Sequence, residues 1–205
     1  MDLQLSNKTA FISGSTAGIG FATAKRLAQE GAAVVINGRT QQRIQEAIQK
    51  LQQQVPGATI SGVAADFSNA TEVQELLAKI EAADILINNA GIFEPKDFIE
   101  IPDEDWFRFF EVNVMSGIRL SRYLLPKLKQ KNWGRIIFIS SESAINIPEE
   151  MIHYGMTKTA QLAISRGLAE LTKNTNVTVN AILPGPTRSE GVGDFIKQVG
   201  ESKKI

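Results

Sequence analysis

The sequence has no cysteine and only one histidine, His153, among its 205 residues. Without cysteine the chain can form no disulfide, no thiolate metal site and no cysteine nucleophile. A single histidine does not make a metal site either, and we interpret His153 as packing or as part of a pocket rim. The sequence therefore predicts no bound metal.

The chain also lacks an excess of charge of either sign and any long apolar run. Its 22 basic residues balance its 22 acidic residues, which leaves no electrostatic footprint for nucleic acid or an anionic membrane. No apolar run approaches the ~20 residues that span a bilayer, and the first residues lack the basic start and apolar core of a signal peptide. We therefore expect no nucleic acid and no membrane as partners, and a cytoplasmic location.

What is present is the composition of an ordinary globular domain. Hydrophobic residues make up 43% of the chain and charged residues 21%, which argues against a disordered or fibrous protein. A chain of this length can bury one sizeable core and is too short for two. We predict a single domain over residues 1–205.

Short apolar segments alternate along the chain with longer segments of helical period. The predicted strands are Thr9 to Ile12, Ala33 to Ile36, Ile60 to Val63, Asp84 to Ile87, Arg135 to Ile139 and Val177 to Ile182. The predicted helices are Ile19 to Gln29, Gln41 to Gln54, Ala70 to Glu81, roughly Asp103 to Lys131, and Tyr154 to Lys173. Such alternation is typical of right-handed β-α-β units with helices on both faces of the sheet. The predicted fold class is α/β, a doubly wound, Rossmann-like parallel sheet of six strands.

Three glycines, Gly14, Gly18 and Gly20, lie where the first strand passes into the first helix. Glycines there permit a tight turn and a close approach of the backbone to a pyrophosphate, and the helix N-terminus supplies free N–H donors. No lysine follows the last glycine, so this is not the phosphate loop of nucleotide hydrolases. The pattern favours dinucleotide binding, and an ordinary turn is the alternative.

Tyr154 and Lys158 form a second motif. Residues four apart on a helix lie on the same face, so both side chains can reach one place. A phenol has a pKa of about 10, and a nearby positive charge favours its phenolate. We interpret Lys158 as that charge; the alternative is an ordinary exposed helix pair.

Together with the run Asn88-Asn89-Ala90-Gly91 after the fourth strand, these motifs resemble the short-chain dehydrogenase/reductase family. The glycine spacing is Gly-x-x-x-Gly-x-Gly, where other dinucleotide folds have Gly-x-Gly-x-x-Gly. The resemblance covers the chain from about Lys8 to Thr187. It implies an oxidoreductase that transfers a hydride between a nicotinamide cofactor and a carbonyl or alcohol substrate.

The resemblance also implies four catalytic residues. Tyr154 would be the general acid or base, and Lys158 would also bind the nicotinamide ribose. Ser141, thirteen residues before Tyr154, matches the serine that binds the substrate carbonyl; Ser140 is the alternative, since adjacent strand residues face opposite sides. Asn113 matches the asparagine that holds a water in a proton relay, and the plainer alternative is a capping or solvent-facing role.

The residues around the second strand indicate which nicotinamide cofactor is used. Gly38 occupies the position where a carboxylate would bind the ribose of NAD. Arg39 follows, and its guanidinium suits the 2′-phosphate of NADP. NADP is therefore predicted. The alternative is NAD, with Arg39 merely solvated. For Asn88, the alternative to a cofactor contact is a role in stabilising the central sheet. The predicted cofactor contacts are Gly14, Ser15, Gly18, Ile19, Gly20, Arg39, Asp66, Phe67, Asn88, Ala90, Gly91, Tyr154, Lys158, Pro184, Gly185 and Thr187.

A catalytically silent protein that keeps the cofactor as a structural or regulatory ligand is the main alternative function. The presence of all four candidate catalytic residues argues against it. Members of the resembled family continue into another helix and a seventh strand, whereas nothing after Val192 resembles that strand and only a short helix near Asp194 to Val199 is indicated. We expect a small-molecule carbonyl or alcohol substrate, which the sequence does not identify, and a homotetramer or homodimer.

Overall fold

A six-stranded parallel sheet forms the centre of the protein. The computed structural model describes residues 3–187, and the strand order is β3-β2-β1-β4-β5-β6. The strands are β1 (Thr9–Ile12), β2 (Ala33–Gly38), β3 (Ile60–Ala64), β4 (Ile85–Asn88), β5 (Gly134–Ile139) and β6 (Val177–Ile182). Every neighbouring pair runs parallel. The predicted doubly wound α/β fold is confirmed; the expectations for the chain after Val192 lie outside the described residues.

In the described part of the chain, six α-helices connect and cover these strands. They are α1 (Gly18–Gln29), α2 (Gln41–Gln54), α3 (Ala70–Lys79), α4 (Asp103–Phe110), α5 (Ser116–Gln130) and α6 (Ile152–Leu171). Capping side chains mark where two of them begin: Thr40 Oγ1 accepts from the Arg43 N–H at 3.4 Å, and Asn69 Oδ1 accepts from the Thr71 N–H at 3.0 Å. Within residues 3–187, no helix combines the length and apolarity needed to cross a membrane.

Both faces of the sheet are buried, which explains the nearly continuous apolar strands. On one face, Phe11 and Leu86 pack with side chains of α3 and α5 in one core cluster. On the other face, Ile12 and Ile87 pack with side chains of α1 and α2 in a second cluster. The alternation of side chains along each strand thus supplies two separate cores, one above and one below the sheet.

The long helix predicted over roughly residues 103–131 is divided into three parts. Between α4 and α5 lies one π-helical turn, Glu111–Met115. Asn113, within that turn, is 1% exposed, and its side chain binds the backbone of Ile92. A π turn adds a residue to a helix without ending its apolar stripe, so the periodicity does not detect it. Through these bonds Asn113 joins the π turn to the segment after β4.

The carboxyl ends of the parallel strands meet at one edge of the sheet. From β1 the chain order proceeds outward to β2 and β3 on one side and to β4, β5 and β6 on the other. Such a reversal leaves a crevice beyond the strand ends, where α/β proteins bind ligands. Three segments lie at this edge: the turn of Gly14 and Gly18 between β1 and α1, called the glycine turn below, the residues after β4, and the residues after β5.

Candidate active site

The turn between β1 and α1 depends on glycine at two positions. Gly14 and Gly18 both have φ near +59°, a left-handed conformation that other residues rarely adopt. A Cβ atom on Gly14 would also lie 3.0 Å from the Cα of Ala90. Among the described residues no side chain caps the N-terminus of α1 at Ala17. The first N–H groups of α1 therefore face the crevice without a side-chain acceptor.

Three polar residues that the sequence analysis did not select hold this turn in place. Ser13 Oγ accepts from the backbone N–H groups of Asn89 and Ala90, both at 2.9 Å. Asn89 Nδ2 donates to the carbonyls of Ser13 and Gly14 at 3.0 and 2.8 Å. Asn37 Oδ1 accepts from the Gly14 N–H at 2.9 Å. These bonds join the ends of β1, β2 and β4 beneath the glycine turn.

A cleft of about 390 Å³ runs over the ends of β1, β2, β3 and β4. Its lining includes the predicted contacts Gly14, Arg39, Asp66, Phe67, Ala90 and Gly91. Asp66 shapes its own loop, because its carboxylate accepts from the N–H and the hydroxyl of Ser68 at 2.9 and 2.8 Å. These six predicted contacts thus share one surface.

Three arginines line this cleft: Arg108 is paired with Glu94 and Asp105, and the other two are Arg39 and Arg43. Arg39 was predicted, whereas Arg43, on the first turn of α2, was not. Both are exposed, and among residues 3–187 no carboxylate forms an ion pair with either guanidinium. Arg39 precedes the N-cap of α2, so helical spacing does not relate it to Arg43, and no pattern in the sequence identifies Arg43. The cleft therefore ends in two free positive charges.

Three of the predicted cofactor contacts that do not line this cleft, Ser15, Gly20 and Asn88, have structural roles instead. Asn88 is 3% exposed, and its Nδ2 donates to Ser121 Oγ at 3.1 Å, which joins β4 to α5. Ser15 Oγ donates to the Ile12 carbonyl at 2.7 Å. Gly20 leaves room for Asn89, whose Nδ2 would lie 2.6 Å from a Cβ atom there. These three residues support the turn and the sheet.

A second cleft, of about 330 Å³, continues from the first. The two share the residues Ala17, Asn89 and Gly91, so they form one groove over the glycine turn. The second cleft ends at Tyr154 and Lys158, at the start of α6. The remaining predicted contacts near it are Gly18 and Ile19 in its lining, and Pro184 and Thr187 beside them in an adjoining groove.

The loop after β6 is tied to the residues after β5. The Glu142 N–H donates to the Pro184 carbonyl at 3.1 Å. Thr187 Oγ1 donates to the carbonyl of Gly185 at 2.9 Å. A Cβ atom on Gly185 would lie 3.2 Å from a carboxylate oxygen of Glu142. The predicted Pro184, Gly185 and Thr187 thus lie next to the Ser141 loop.

Tyr154 lies between Phe93 and Ser141. Its ring meets the Phe93 ring edge-on, with the ring centroids 6.3 Å apart. Burial raises the pKa of Tyr154, and a hydrogen bond with Ser141 acts in the opposite direction. Ser140, the alternative serine, also lines the second cleft, but its hydroxyl donates to the Lys158 carbonyl at 2.9 Å. The structure therefore brings Ser141, and not Ser140, to the tyrosine hydroxyl.

Lys158 is 4% exposed, and its Nζ donates to the Ile139 carbonyl at 2.9 Å. Burial lowers the pKa of Lys158 to about 8. Its Nζ lies 5.5 Å from the centroid of the Tyr154 ring. The predicted effect of the lysine charge is to favour the phenolate, but in this structure burial dominates and the pKa of Tyr154 is raised.

Asn113 is bound on every polar atom of its side chain. Its Oδ1 accepts from the Ile92 N–H at 2.7 Å, and its Nδ2 donates to the Ile92 carbonyl at 2.9 Å and to Thr157 Oγ1 at 3.0 Å. Its backbone carbonyl accepts from Gln161 Nε2 at 2.6 Å. The sequence analysis did not select Thr157 or Gln161, since a polar residue on a buried helix face has no distinctive spacing.

The one histidine of the sequence, His153, belongs to no metal site within the described part of the chain. His153 is fully buried against the rings of Phe109 and Trp106, at centroid distances of 4.1 and 6.0 Å. Burial lowers the pKa of His153. Over residues 3–187, no three side chains of the histidine, aspartate and glutamate types come together as a metal site would require.

The sequence is similar to those of known proteins. The family model described as short chain dehydrogenase matches residues 8–199. The uncharacterized oxidoreductase YvaG of Bacillus subtilis is 52% identical over 199 residues, which cover 97% of this chain and 75% of that protein. A second B. subtilis protein, the uncharacterized oxidoreductase YvrD, is 49% identical over 205 residues, covering 98% of this chain and 77% of that protein.

A solved structure is also similar to this chain. L-Sorbose reductase from Gluconobacter frateurii, complexed with NADPH and L-sorbose, superposes with a TM-score of 0.91 at 33% sequence identity. The superposition covers 98% of this chain and 78% of the reductase. The chain therefore belongs to the short-chain dehydrogenase/reductase family, NAD(P)-dependent oxidoreductases of CH–OH and C=O groups.

Proposed function

We propose that this protein transfers a hydride between NADP(H) and a carbonyl or alcohol substrate, with Tyr154 as general acid and base. The observation that supports the proposal is the convergence of Tyr154, Lys158 and Ser141 at the end of a groove that begins at the glycine turn. The nicotinamide, when bound, supplies or accepts the hydride. The groups of the protein then have to bind the substrate oxygen and move its proton.

The residues of the groove fit a dinucleotide. Backbone N–H groups at the N-terminus of α1, beside Gly18 and Ile19, suit a pyrophosphate, since no side chain within residues 3–187 caps that helix. Asp66 and Phe67 line the part of the cleft that would hold the adenine. The other residues proposed to hold the cofactor are Gly14, Arg39, Arg43, Ala90, Gly91, Tyr154, Lys158, Pro184 and Thr187.

The same residues suit proton transfer during carbonyl reduction. Tyr154 donates its phenol proton to the carbonyl oxygen, and Ser141 donates a hydrogen bond to that oxygen. The raised pKa of Tyr154 keeps the phenol protonated at neutral pH, the form that reduction needs. The positive charge of Lys158 stabilises the phenolate that results. Asn113 extends the site toward Thr157, through which it contacts the helix that carries the tyrosine.

The cofactor preference is proposed to be NADP. The two guanidinium groups of Arg39 and Arg43 lie at the end of the cleft beyond Asp66, without carboxylate partners in the described chain. A 2′-phosphate there would accept charge-assisted hydrogen bonds from both. A carboxylate that would repel it is absent at Gly38, whose backbone packs against Thr16. The reductase with a TM-score of 0.91 was solved with NADPH.

NADPH should bind more tightly than NADH, and the arginines should account for the difference. Because a hydrogen bond to a charged group contributes about 1.5–3 kcal/mol, Arg39→Ala or Arg43→Ala should each weaken NADPH binding by about tenfold or more. Affinity for NADH should not change. Parallel fluorescence titrations measure both, with the exposed Lys50→Ala on α2 as a control. Equal affinity of the native protein for the two cofactors would contradict the preference.

Self-association is part of the proposal. Helix α4 leaves Phe107 74% exposed and Phe110 39% exposed, an apolar surface that a second copy could bury. Light scattering should give two or four times the mass of the chain. Phe107→Asp should shift that mass toward the monomer, because a carboxylate in an apolar interface is costly. A monomeric native protein would contradict this expectation.

A further inference from the structure

Gln161 lies one turn after Lys158 on α6 and binds the π turn that carries Asn113. Its Nε2 donates to the backbone carbonyl of Asn113 at 2.6 Å. The side chain is buried, with the residue 2% exposed. The proton transfer described above gives Gln161 no part, so the contact requires its own explanation.

The π turn explains why a side chain from another helix is needed there. A π turn displaces backbone carbonyls from the regular i to i+4 pattern, and such turns occur often at functional sites. A buried carbonyl that finds no donor is strongly disfavoured. The carbonyl of Asn113 accepts such a side-chain bond from the Gln161 amide.

Helix α6 therefore contacts Asn113 through two hydrogen bonds. The Asn113 side chain donates to Thr157 Oγ1 at 3.0 Å, and its carbonyl accepts from Gln161 at 2.6 Å. Thr157 Oγ1 in turn donates to the Tyr154 carbonyl at 2.7 Å. Lys158 lies between Thr157 and Gln161 in the sequence, so both contacts flank it.

Filling space does not account for Gln161. Its Oε1 is buried and has no hydrogen-bond partner among the described residues. Methionine has nearly the same length and would fill the same volume without leaving an acceptor unpaired. The feature that only an amide provides at this position is the N–H donor directed at Asn113.

We propose that Gln161 is a positioning residue, whose amide fixes the π turn and Asn113 relative to Tyr154 and Lys158 during proton transfer. This inference rests on the proposed function, because the step it adjusts is the proton transfer proposed there. Neither Gln161 nor Asn113 lines either of the two clefts that form the groove. Loss of the bond should therefore lower kcat and leave the affinity for NADPH unchanged.

Two substitutions separate positioning from packing. Gln161→Met removes the donor, and kcat for NADPH-dependent reduction should fall about 10- to 100-fold, since small misplacements of catalytic groups cost rates of that order. Gln161→Glu can donate to the Asn113 carbonyl only when the introduced carboxyl is protonated. Its kcat relative to the native protein should therefore recover by about tenfold between pH 8 and pH 5.5.

The reactions are run with a panel of ketoses, aliphatic ketones and aryl aldehydes. Ser165→Ala, a buried change one turn further along α6, is the control and should leave kcat within about twofold of native. Hydrogen exchange provides a readout that needs no turnover: the amides of residues 111–118 should exchange at least about tenfold faster in Gln161→Met. The amides of β1 and α1 should be unchanged in the same sample.

The outcomes distinguish the two proposals. A native protein that binds NADPH but reduces nothing would defeat the proposed function, and the exchange of residues 111–118 would still decide the role of Gln161. Exchange and kcat in Gln161→Met within about twofold of native would overturn the inference. A second result would also overturn it: kcat of Gln161→Glu reduced by the same factor at every pH, together with faster hydrogen exchange throughout the chain. That pattern would show that Gln161 contributes packing alone.

Discussion

Replacing Tyr154 with phenylalanine should abolish turnover and leave NADPH affinity nearly intact. The substitution keeps the ring that meets Phe93 edge-on at 6.3 Å, and it removes only the hydroxyl beside Ser141. General acid–base catalysis contributes about 10²–10⁴-fold, so the rate should fall by at least two orders of magnitude. NADPH oxidation with the carbonyl panel measures the rate, and fluorescence titration measures the affinity.

Tyr123 offers a matched control, since it is the other tyrosine of the chain. Its hydroxyl accepts from Lys127 Nζ at 3.2 Å on α5, and Tyr123→Phe should preserve turnover. Native turnover in Tyr154→Phe would show that this tyrosine is not the general acid. A native protein that binds NADPH and reduces nothing would instead favour the alternative of a catalytically silent member of the family.

The sequence predicts the sheet because β1 to β5 are each marked twice, by an apolar run and by a helix later in the chain, and β6 is marked by its apolar run. All six strands are present, and β2 extends beyond its predicted end to Gly38. The extension was missed because Asn37 is polar, although its side chain is buried and bound to the Gly14 N–H. The π turn at Asn113 was missed because its apolar neighbours keep their helical period.

In the site, local patterns were readable and long-range pairs were not. Gly14 and Gly18 have the left-handed backbone that the motif anticipates, because both the turn and the glycine preference are local. The bond between Ser13 and Asn89 joins residues 76 positions apart, and no spacing in the sequence encodes it. The raised pKa of Tyr154 was likewise beyond the sequence, since it follows from burial by segments distant in the chain.

Replacing Lys158 with methionine should remove turnover and, at pH 7, raise the free energy of unfolding by about 1–3 kcal/mol. Burial lowers the pKa of this lysine from 10.5 to about 8, so the charged form is disfavoured in the folded state by about 3 kcal/mol. The lost bond from Nζ to the Ile139 carbonyl offsets part of the gain. A methionine cannot stabilise the Tyr154 phenolate, and turnover should fall by about 10²–10³-fold.

The effect on stability should depend on pH in one direction. The pKa of Lys158 is lower in the folded state than in the unfolded state, so its destabilising effect is fully present below about pH 8. Between about 8 and 10.5 the unfolded state keeps the proton that the folded state has released. The native protein should therefore gain stability relative to Lys158→Met as the pH rises through this interval, and urea unfolding at pH 7 and pH 10 measures the change.

The exposed Lys50→Met on α2 separates burial from the loss of a charge as such, and it should alter neither stability nor turnover. Equal unfolding free energies of the native protein and Lys158→Met at both pH values would contradict the prediction that the buried Lys158 charge destabilises the folded state. Native turnover in Lys158→Met would contradict its part in proton transfer. If Lys158→Met is more stable than the native protein and has lost turnover, the buried lysine lowers stability and is needed for activity. That combination distinguishes a catalytic charge from a structural one, because a structural charge would stabilise the fold.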